Sequence, residues 1–564
     1  MRCASKYAIT LVAMRKFAAG LLCLLFPLFG VLPTRADAYR GKPSLVVVLV
    51  IDQFRGDYLE RYRDDFKTPN GFNLFLKRGA YFTDCYYDYA NTMTAPGHST
   101  IGTGAYTNGH GISLNEWWDL KRSTKHVVTS VEDEHYAIVG NPESTEVGAS
   151  PRNELASTLG DEVVLATQGK SKLFGVSMKD RAAILTSGHA SNGAFWLDHA
   201  SGRFVTSTYW GAQLPGWAQA FNSSGRADQA LREAGVKPGQ FYEDVGKSPA
   251  SVSYLLDFAK ALITGEEMGR HGVTDVLTIS ISSTDILGHA VGPDAPEQRA
   301  MIDAVDTNLN AFFTWVDKNV DGGMGNVWVA LTGDHGVAPV SAVAAKLGIP
   351  GTTFDFKKLL AALDTRLNQR YSPGKQTKYM MNSEMPYVTL DPRAFAAANV
   401  SEAEAETAVA KMLPDAMEST LPPVPEGVSQ TRLPPRPMIR HSYTRLQMAA
   451  GQVPETEEGR VVLHSYSPNG GWYVMISPGM YELTSAKGTN HFSPYMYDRH
   501  VPLAFFGSPF VPGTYHDRVA PVDLAATFAS LLRVNQPSAC VGHVLTQAIR
   551  PETGTERVGR KAGQ

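Results

Sequence analysis

The sequence predicts an α/β fold: a mostly parallel central sheet with helices on both faces. Two observations carry that expectation. Short β-branched or apolar runs recur along the chain, and segments of helical period lie between them. Buried strands alternating with helices call for a parallel sheet covered on both sides.

The first 38 residues stand apart from that pattern. Arg2, Lys6, Arg15 and Lys16 precede an apolar run from Phe17 to Leu32, and Ala36-Asp37-Ala38 is a small-x-small cleavage site. Residues 1–38 therefore read as a secretory signal cut after Ala38. A retained anchor is the alternative. Against it, the run is short and broken by Pro27, and Cys23 lacks the small residue that precedes a lipidated cysteine. No later stretch approaches the length of a membrane span, so no membrane contact is expected after cleavage.

Five runs then read as strands: "SLVVVLVID" (44–52), "KLFGVSMKDR" (172–181), "DVLTISISSTD" (275–285), "NVWVALTGDH" (326–335) and "VPLAFFG" (501–507). Between the third and fourth, Ile302, Val305, Leu309, Phe312 and Val316 recur at helical spacing and predict an amphipathic helix. We read 39–550 as one α/β domain, 551–564 as a tail, and 337–487 as an insertion with its own cap-like subdomain. The Pro-rich stretch 421–437 is a loop or spacer within it. "GKS" at 169–171 and 246–248 lacks the upstream glycine of a P-loop, and no G-x-S-x-G is present.

The 564 residues are 43% hydrophobic and 19% charged, with a net charge of −3, which is an ordinary globular composition. Near-neutral charge gives no support for a nucleic-acid partner. Cys85 and Cys540 remain after signal cleavage, either as a pair in an oxidising compartment or as two buried thiols.

Chemistry collects at the strand ends. The first strand ends in Asp52, the third runs into Asp285, and the fourth runs into Asp334 and His335. Ligands in open α/β sheets bind beyond the carboxyl ends of the strands. Three carboxylates gathered there repel one another unless a cation compensates them. His289 in "DILGH", His335 and His491 in "KGTNHFSPYMYD" add imidazoles, a mixture that suits zinc, with manganese or iron also admissible. Taken singly, each pair has a bland explanation as a surface cap or a satisfied histidine. Their conjunction at strand ends does not. Thr94, in "NTMTAPGHST", is in isolation a plain helix N-cap.

Together "VLVIDQ", "TAPGHST", "TDILGHAVGP", "LTGDHG" and "GTNHFSPYMYDRHVP" resemble the alkaline phosphatase superfamily, in order and over nearly the whole mature chain. The resemblance is closest to the periplasmic, threonine-nucleophile, phosphate-irrepressible alkaline phosphatases. It implies two zinc ions, one on Asp285, His289 and His491, the other on Asp52, Asp334 and His335 with the Thr94 oxygen. It makes Thr94 the nucleophile, at the start of a helix expected near Pro96 whose amides favour phosphate. It assigns Lys179, Arg181 and Asn115 to the non-bridging phosphoryl oxygens. Lys179 and Arg181 sit two apart on an expected strand, so their side chains should share a side.

The implied activity is a secreted phosphomonoesterase acting on small-molecule phosphate monoesters by double displacement, expected as a monomer. The nearest rival is a phosphodiesterase or nucleotide pyrophosphatase with the same ligands, which needs an apolar pocket for its second ester group. A sulfatase lacks support because Thr-Ala-Pro-Gly has no cysteine or serine precursor of formylglycine. A phosphoethanolamine transferase lacks support because the membrane helices are missing. A non-catalytic periplasmic binding protein, holding metal or phosphate in the same cleft, is a rival of another class.

Overall fold

The computed structural model describes residues 42–119, 127–349, 351–381, 383–423, 436–484 and 488–551. The signal reading of 1–38, the tail at 552–564, residues 424–435 of the Pro-rich stretch and the Lys487 boundary lie outside them. Residues 42–550 form one compact unit.

Its frame is an eleven-stranded sheet. Six strands position the site: β1 (Leu45–Ile51), β2 (Ala80–Tyr86), β3 (Leu173–Ser177), β4 (Asp275–Ile281), β5 (Val327–Gly333) and β6 (His500–Phe506). The order β5-β1-β4-β3 followed by Gly193–Leu197 is parallel throughout. All five runs expected as strands are strands, but β6 is antiparallel to β5 and to β2. The run 172–181 is strand only as far as Ser177, and its last two residues open a helix.

Helices cover both faces because the strands are apolar on both. In Gly193–Leu197, Phe195 and Leu197 join one core with α3 (Ala250–Gly265) and α5 (Pro296–Asn319). Ala194 and Trp196 point the other way and pack with α1 (Thr94–Thr103) and α2 (Asp180–Ser187). α5 buries Ile302, Val305, Leu309, Phe312 and Val316, the stripe its spacing predicts. α4 (Ser283–Val291) links β4 to α5.

Within 337–487 a three-stranded antiparallel sheet, Tyr387–Thr389, Tyr473–Pro478 and Ile439–Thr444, packs with helices Phe356–Tyr371 and Glu402–Ser419. Leu359, Leu363, Val388, Val409, Leu413 and Ile476 give this region an apolar core of its own. Cys85 and Cys540 are both unpaired thiols. Burial pushes each above the usual range.

Among the described residues no helix is long and apolar enough to cross a membrane.

Candidate active site

Strand register brings the site together. Ile51 pairs with Ile281 of β4 on one side and Gly333 of β5 on the other, and Ser280 pairs with Ser177 of β3. Four parallel strands therefore end flush. Asp52 and Asp334 follow their strands at once, Lys179 comes two residues beyond β3, and Asp285 lies in the first turn of α4. His289 stands one turn further along α4, on the same face as Asp285.

Two sets of acceptor atoms converge there. Asp52 Oδ1 and Asp334 Oδ2 lie 3.5 and 3.6 Å from His335 Nε2. Asp285 Oδ1 lies 3.1 Å from His289 Nε2 and 3.6 Å from His491 Nε2, and the two Nε2 atoms are 3.3 Å apart. The His335 and His491 rings stack with centroids 3.5 Å apart, placing the two sets side by side.

Backbone carbonyls define which ring nitrogen is available. The Nδ1 atoms of His289, His335 and His491 face the carbonyls of Thr489, Gly336 and Thr92 at 2.9, 3.0 and 2.6 Å. A carbonyl only accepts, so each Nδ1 carries a proton and Nε2 is the ring atom left to offer a lone pair to a cation. That is the arrangement by which outer partners orient metal-ligating histidines. In the first set, moreover, Asp52 Oδ1, Asp334 Oδ2 and His335 Nε2 are buried with no hydrogen-bond partner among the described residues. Facing acceptors without donors are what a cation resolves. Both sets fit a metal, and Asp52-Asp334-His335 and Asp285-His335-His491 each have ligand atoms within 4.8 Å of one another.

The electrostatics say the same. Burial, reinforced by Asp285, raises the Asp52 carboxyl above its ordinary range, and burial with Asp52 raises Asp334 well above it. Burial also works against the Asp285 carboxylate, but His289 and Lys179 outweigh it and hold Asp285 well below the usual range. Burial disfavours a charged Lys179, yet Asp285 and Asp52 prevail and raise it. Lys179 Nζ is 2.6 Å from Asp52 Oδ2 and 2.6 Å from Asp285 Oδ2, so its ammonium bridges the two carboxylates.

Thr94 is buried, and its Oγ1 lies 3.3 Å from Lys179 Nζ. It is not an N-cap. The capping residue is Met93, α1 begins at Thr94 and not at Pro96, and no side chain caps the helix. The Thr94 hydroxyl therefore accepts from Lys179 without serving the helix. Asn115 Oδ1 accepts from Ala95 N at 2.9 Å and so steadies the first turn of α1. Lys179 occupies the N-cap position of α2 and Arg181 lies within it, so the helix start and not strand alternation sets where the two side chains go. Arg181 pairs with Asp180 at 3.5 Å, while its Nε is buried without a partner among the described residues.

Three supporting residues escaped the sequence reading. Gln53, at φ 57°, donates its backbone N–H to Asp334 Oδ1 (2.9 Å) and its side-chain amide to Asp285 Oδ1 (2.7 Å), tying the two sets together. Its place beside Asp52 in "VLVIDQ" was the one available signal. Asp498 accepts from Phe492 N (3.1 Å) and Ser493 Oγ (2.6 Å), and its carbonyl accepts from Gly336 N (2.7 Å), joining the His491 and His335 loops. Gly97 lets α1 approach the Asp334 loop. A Cβ there would lie 2.3 Å from the Asp334 carbonyl oxygen, and backbone atoms that close cannot yield cheaply. Gly97→Ala should therefore displace Asp334, lowering bound metal and the thermal midpoint together. Unchanged metal content by elemental analysis would show that the loop accommodates the methyl group.

Known proteins share this architecture. The family model for type I phosphodiesterase / nucleotide pyrophosphatase matches residues 46–484. The chain is 31% identical to alkaline phosphatase PafA of Elizabethkingia meningoseptica, over 90% of this chain and 95% of that protein. It is 30% identical to alkaline phosphatase PhoV of Synechococcus elongatus, over 90% and 94%. The crystal structure of wild-type PafA superposes with a TM-score of 0.79 at 30% identity, covering 91% of this chain and 100% of that one. The chain thus belongs to the type I phosphodiesterase / nucleotide pyrophosphatase family of the alkaline phosphatase superfamily, a family of phosphoesterases.

Proposed function

We propose that the chain is a secreted, zinc-dependent phosphomonoesterase that acts by double displacement through a phosphothreonine on Thr94. The observation that carries this reading is the position of the buried Thr94 hydroxyl, 3.3 Å from a lysine that bridges Asp52 and Asp285, one carboxylate from each set of candidate ligands. Asp52, Asp334 and His335, with Thr94, would hold one zinc; Asp285, His289 and His491 would hold the other. When bound, the pair would supply Lewis acidity at the attacking and departing oxygens.

The chain's own groups do the rest. Thr94 Oγ attacks phosphorus, the bond to the leaving alcohol breaks, and that alcohol departs with a proton. Water then cleaves the phosphothreonine, giving inorganic phosphate and restoring the hydroxyl. The α1 N-terminus favours the phosphoryl charge, and Asn115 holds its first turn in place. Lys179 and Arg181 meet the non-bridging oxygens. The 337–487 region would act as a cap over the cleft, and residues 1–38 as the export signal that delivers a monomer to the periplasm or medium.

The family model's name favours one second reading, a diesterase on the same scaffold. Kinetics on matched mono-, di- and sulfate esters separate the two. Monoesters should lead in kcat/KM, and a preference for diesters would put the second reading ahead. Chelation should abolish turnover and added zinc should restore it, with about two zinc ions per active chain. Active protein free of transition metal would contradict the proposal.

A further inference from the structure

Thr94 carries its hydroxyl beside a peptide unit that side chains hold at both ends. The Thr94 carbonyl faces His98 Nδ1 at 2.8 Å, and the Ala95 N–H, the other end of the same unit, donates to Asn115 Oδ1 at 2.9 Å. His98 stands one turn along α1 from Thr94, on the same face, and is fully buried. A carbonyl only accepts, so Nδ1 carries a proton and donates it to Thr94. The far ring nitrogen, Nε2, lies 2.8 Å from Ser280 Oγ near the end of β4. The imidazole thus ties the start of α1 to the strand that leads into Asp285. It also meets the first ligand set, because Nδ1 is 3.4 Å from Asp334 Oδ2, one of the atoms that face His335.

We infer that His98 is a positioning residue for the nucleophile, fixing the Thr94–Ala95 peptide against β4 and Asp334 so that the Thr94 hydroxyl meets phosphorus in line. Thr94 is the first residue of α1, and the first turn of a helix is where the intrahelical ladder gives least support. One rotatable bond separates its Oγ from the backbone, so a tilt of that peptide moves the attacking atom directly. Misplacement by about 1 Å costs on the order of 10² in rate. Asn115 holds the N–H of this peptide and His98 its carbonyl, which leaves the unit little freedom to tilt. Ser280 in turn fixes the ring that does so. The bland alternative is a core histidine that only fills space between α1 and the sheet. An apolar side chain would do that equally well, but it would leave the Thr94 carbonyl unheld.

The inference rests on the phosphomonoesterase reading with Thr94 as nucleophile, and its test keeps the two apart. Two amides dissect the ring. His98→Asn places an N–H near the Nδ1 position and gives up Ser280. His98→Gln reaches towards Ser280 with its longer chain and has no donor at Nδ1. The full chain, metal-loaded, is assayed as wild type and both variants for kcat/KM on ethyl phosphate, whose poor leaving group keeps attack by Thr94 slow. Zinc content and thermal midpoint are measured on the same preparations. His98→Gln should lower kcat/KM by about 10² with zinc content unchanged, and His98→Asn should stay within about tenfold of wild type. Packing alone predicts the opposite order, because glutamine is nearer to histidine in volume. Equal rates for the two variants, the reverse order, or a rate that falls only in step with lost zinc or a lowered midpoint would overturn this inference and leave the phosphatase reading intact. Wild type that turns over no monoester would overturn the reading and the inference with it.

Discussion

Thr94→Ala should lose nearly all turnover, on the order of 10³–10⁶ in kcat as for removal of other covalent nucleophiles, while the protein stays folded and loaded with metal. The fold should survive because the Thr94 hydroxyl caps nothing: Met93 occupies the capping position and no side chain bonds the first amides of α1. The metal should stay because Asp52, Asp334 and His335 remain, their free atoms still facing one another. Thr94→Ser should keep substantial activity, since only the hydroxyl enters the chemistry. Zinc content and circular dichroism, measured beside kcat, separate loss of nucleophile from loss of site. A Thr94→Ala enzyme within tenfold of wild type would remove the covalent mechanism.

Lys179→Ala combined with Arg181→Ala should depress monoester kcat/KM by roughly 10² or more, taking each charged contact as about 1.5–3 kcal/mol. A monoester dianion presents a charged oxygen that a diester has covered, and a lysine with an arginine aimed at it favours the monoester. Because these contacts persist as charge redistributes, binding and the transition state should both suffer. The structure adds a second cause for the loss. Lys179 bridges Asp52 and Asp285, so its removal leaves two buried carboxylates less compensated and weakens both ligand sets. Arg181→Ala alone is therefore the cleaner probe of substrate charge, since Arg181 makes its ion pair with Asp180. Each variant is compared on a monoester and a diester, which cancels damage to folding or metal loading. Equal losses on both substrates would mean that these side chains do not read the monoester charge.

The parts of the fold legible in sequence were those governed by local periodicity. The five strands read from apolar runs are all present because a strand buried on both faces must be apolar at every position, as in Leu45–Ile51. The stripe of α5 was legible for the same reason. Strand direction was not, since β6 is apolar like the parallel strands of the sheet but runs antiparallel to both its neighbours. Asp52, Asp285, Asp334 and His335 were legible because strand ends and ligand sites coincide in such sheets. His491, far along the chain from them, could be named as a candidate imidazole, but its assignment to the set with Asp285 and His289 came only through resemblance to known motifs.

Lys179 reaches Asp52 and Asp285 from the start of α2, which the run 172–181 hid behind its strand-like residues. Thr94 read as an N-cap in isolation because hydroxyl residues favour that place. Whether the cap is Met93 or Thr94 depends on backbone geometry that composition does not encode.

The central claim is a phosphoryl group carried on Thr94, and the most direct measurement is to trap it. Wild-type enzyme turning over a labelled monoester is quenched in acid, digested and mapped by mass spectrometry. The account predicts one labelled peptide containing Thr94, modified at that residue and absent from Thr94→Ala. Label on a histidine or aspartate, or no covalent label under conditions where the chemical step precedes a slower hydrolysis of the intermediate, would contradict it.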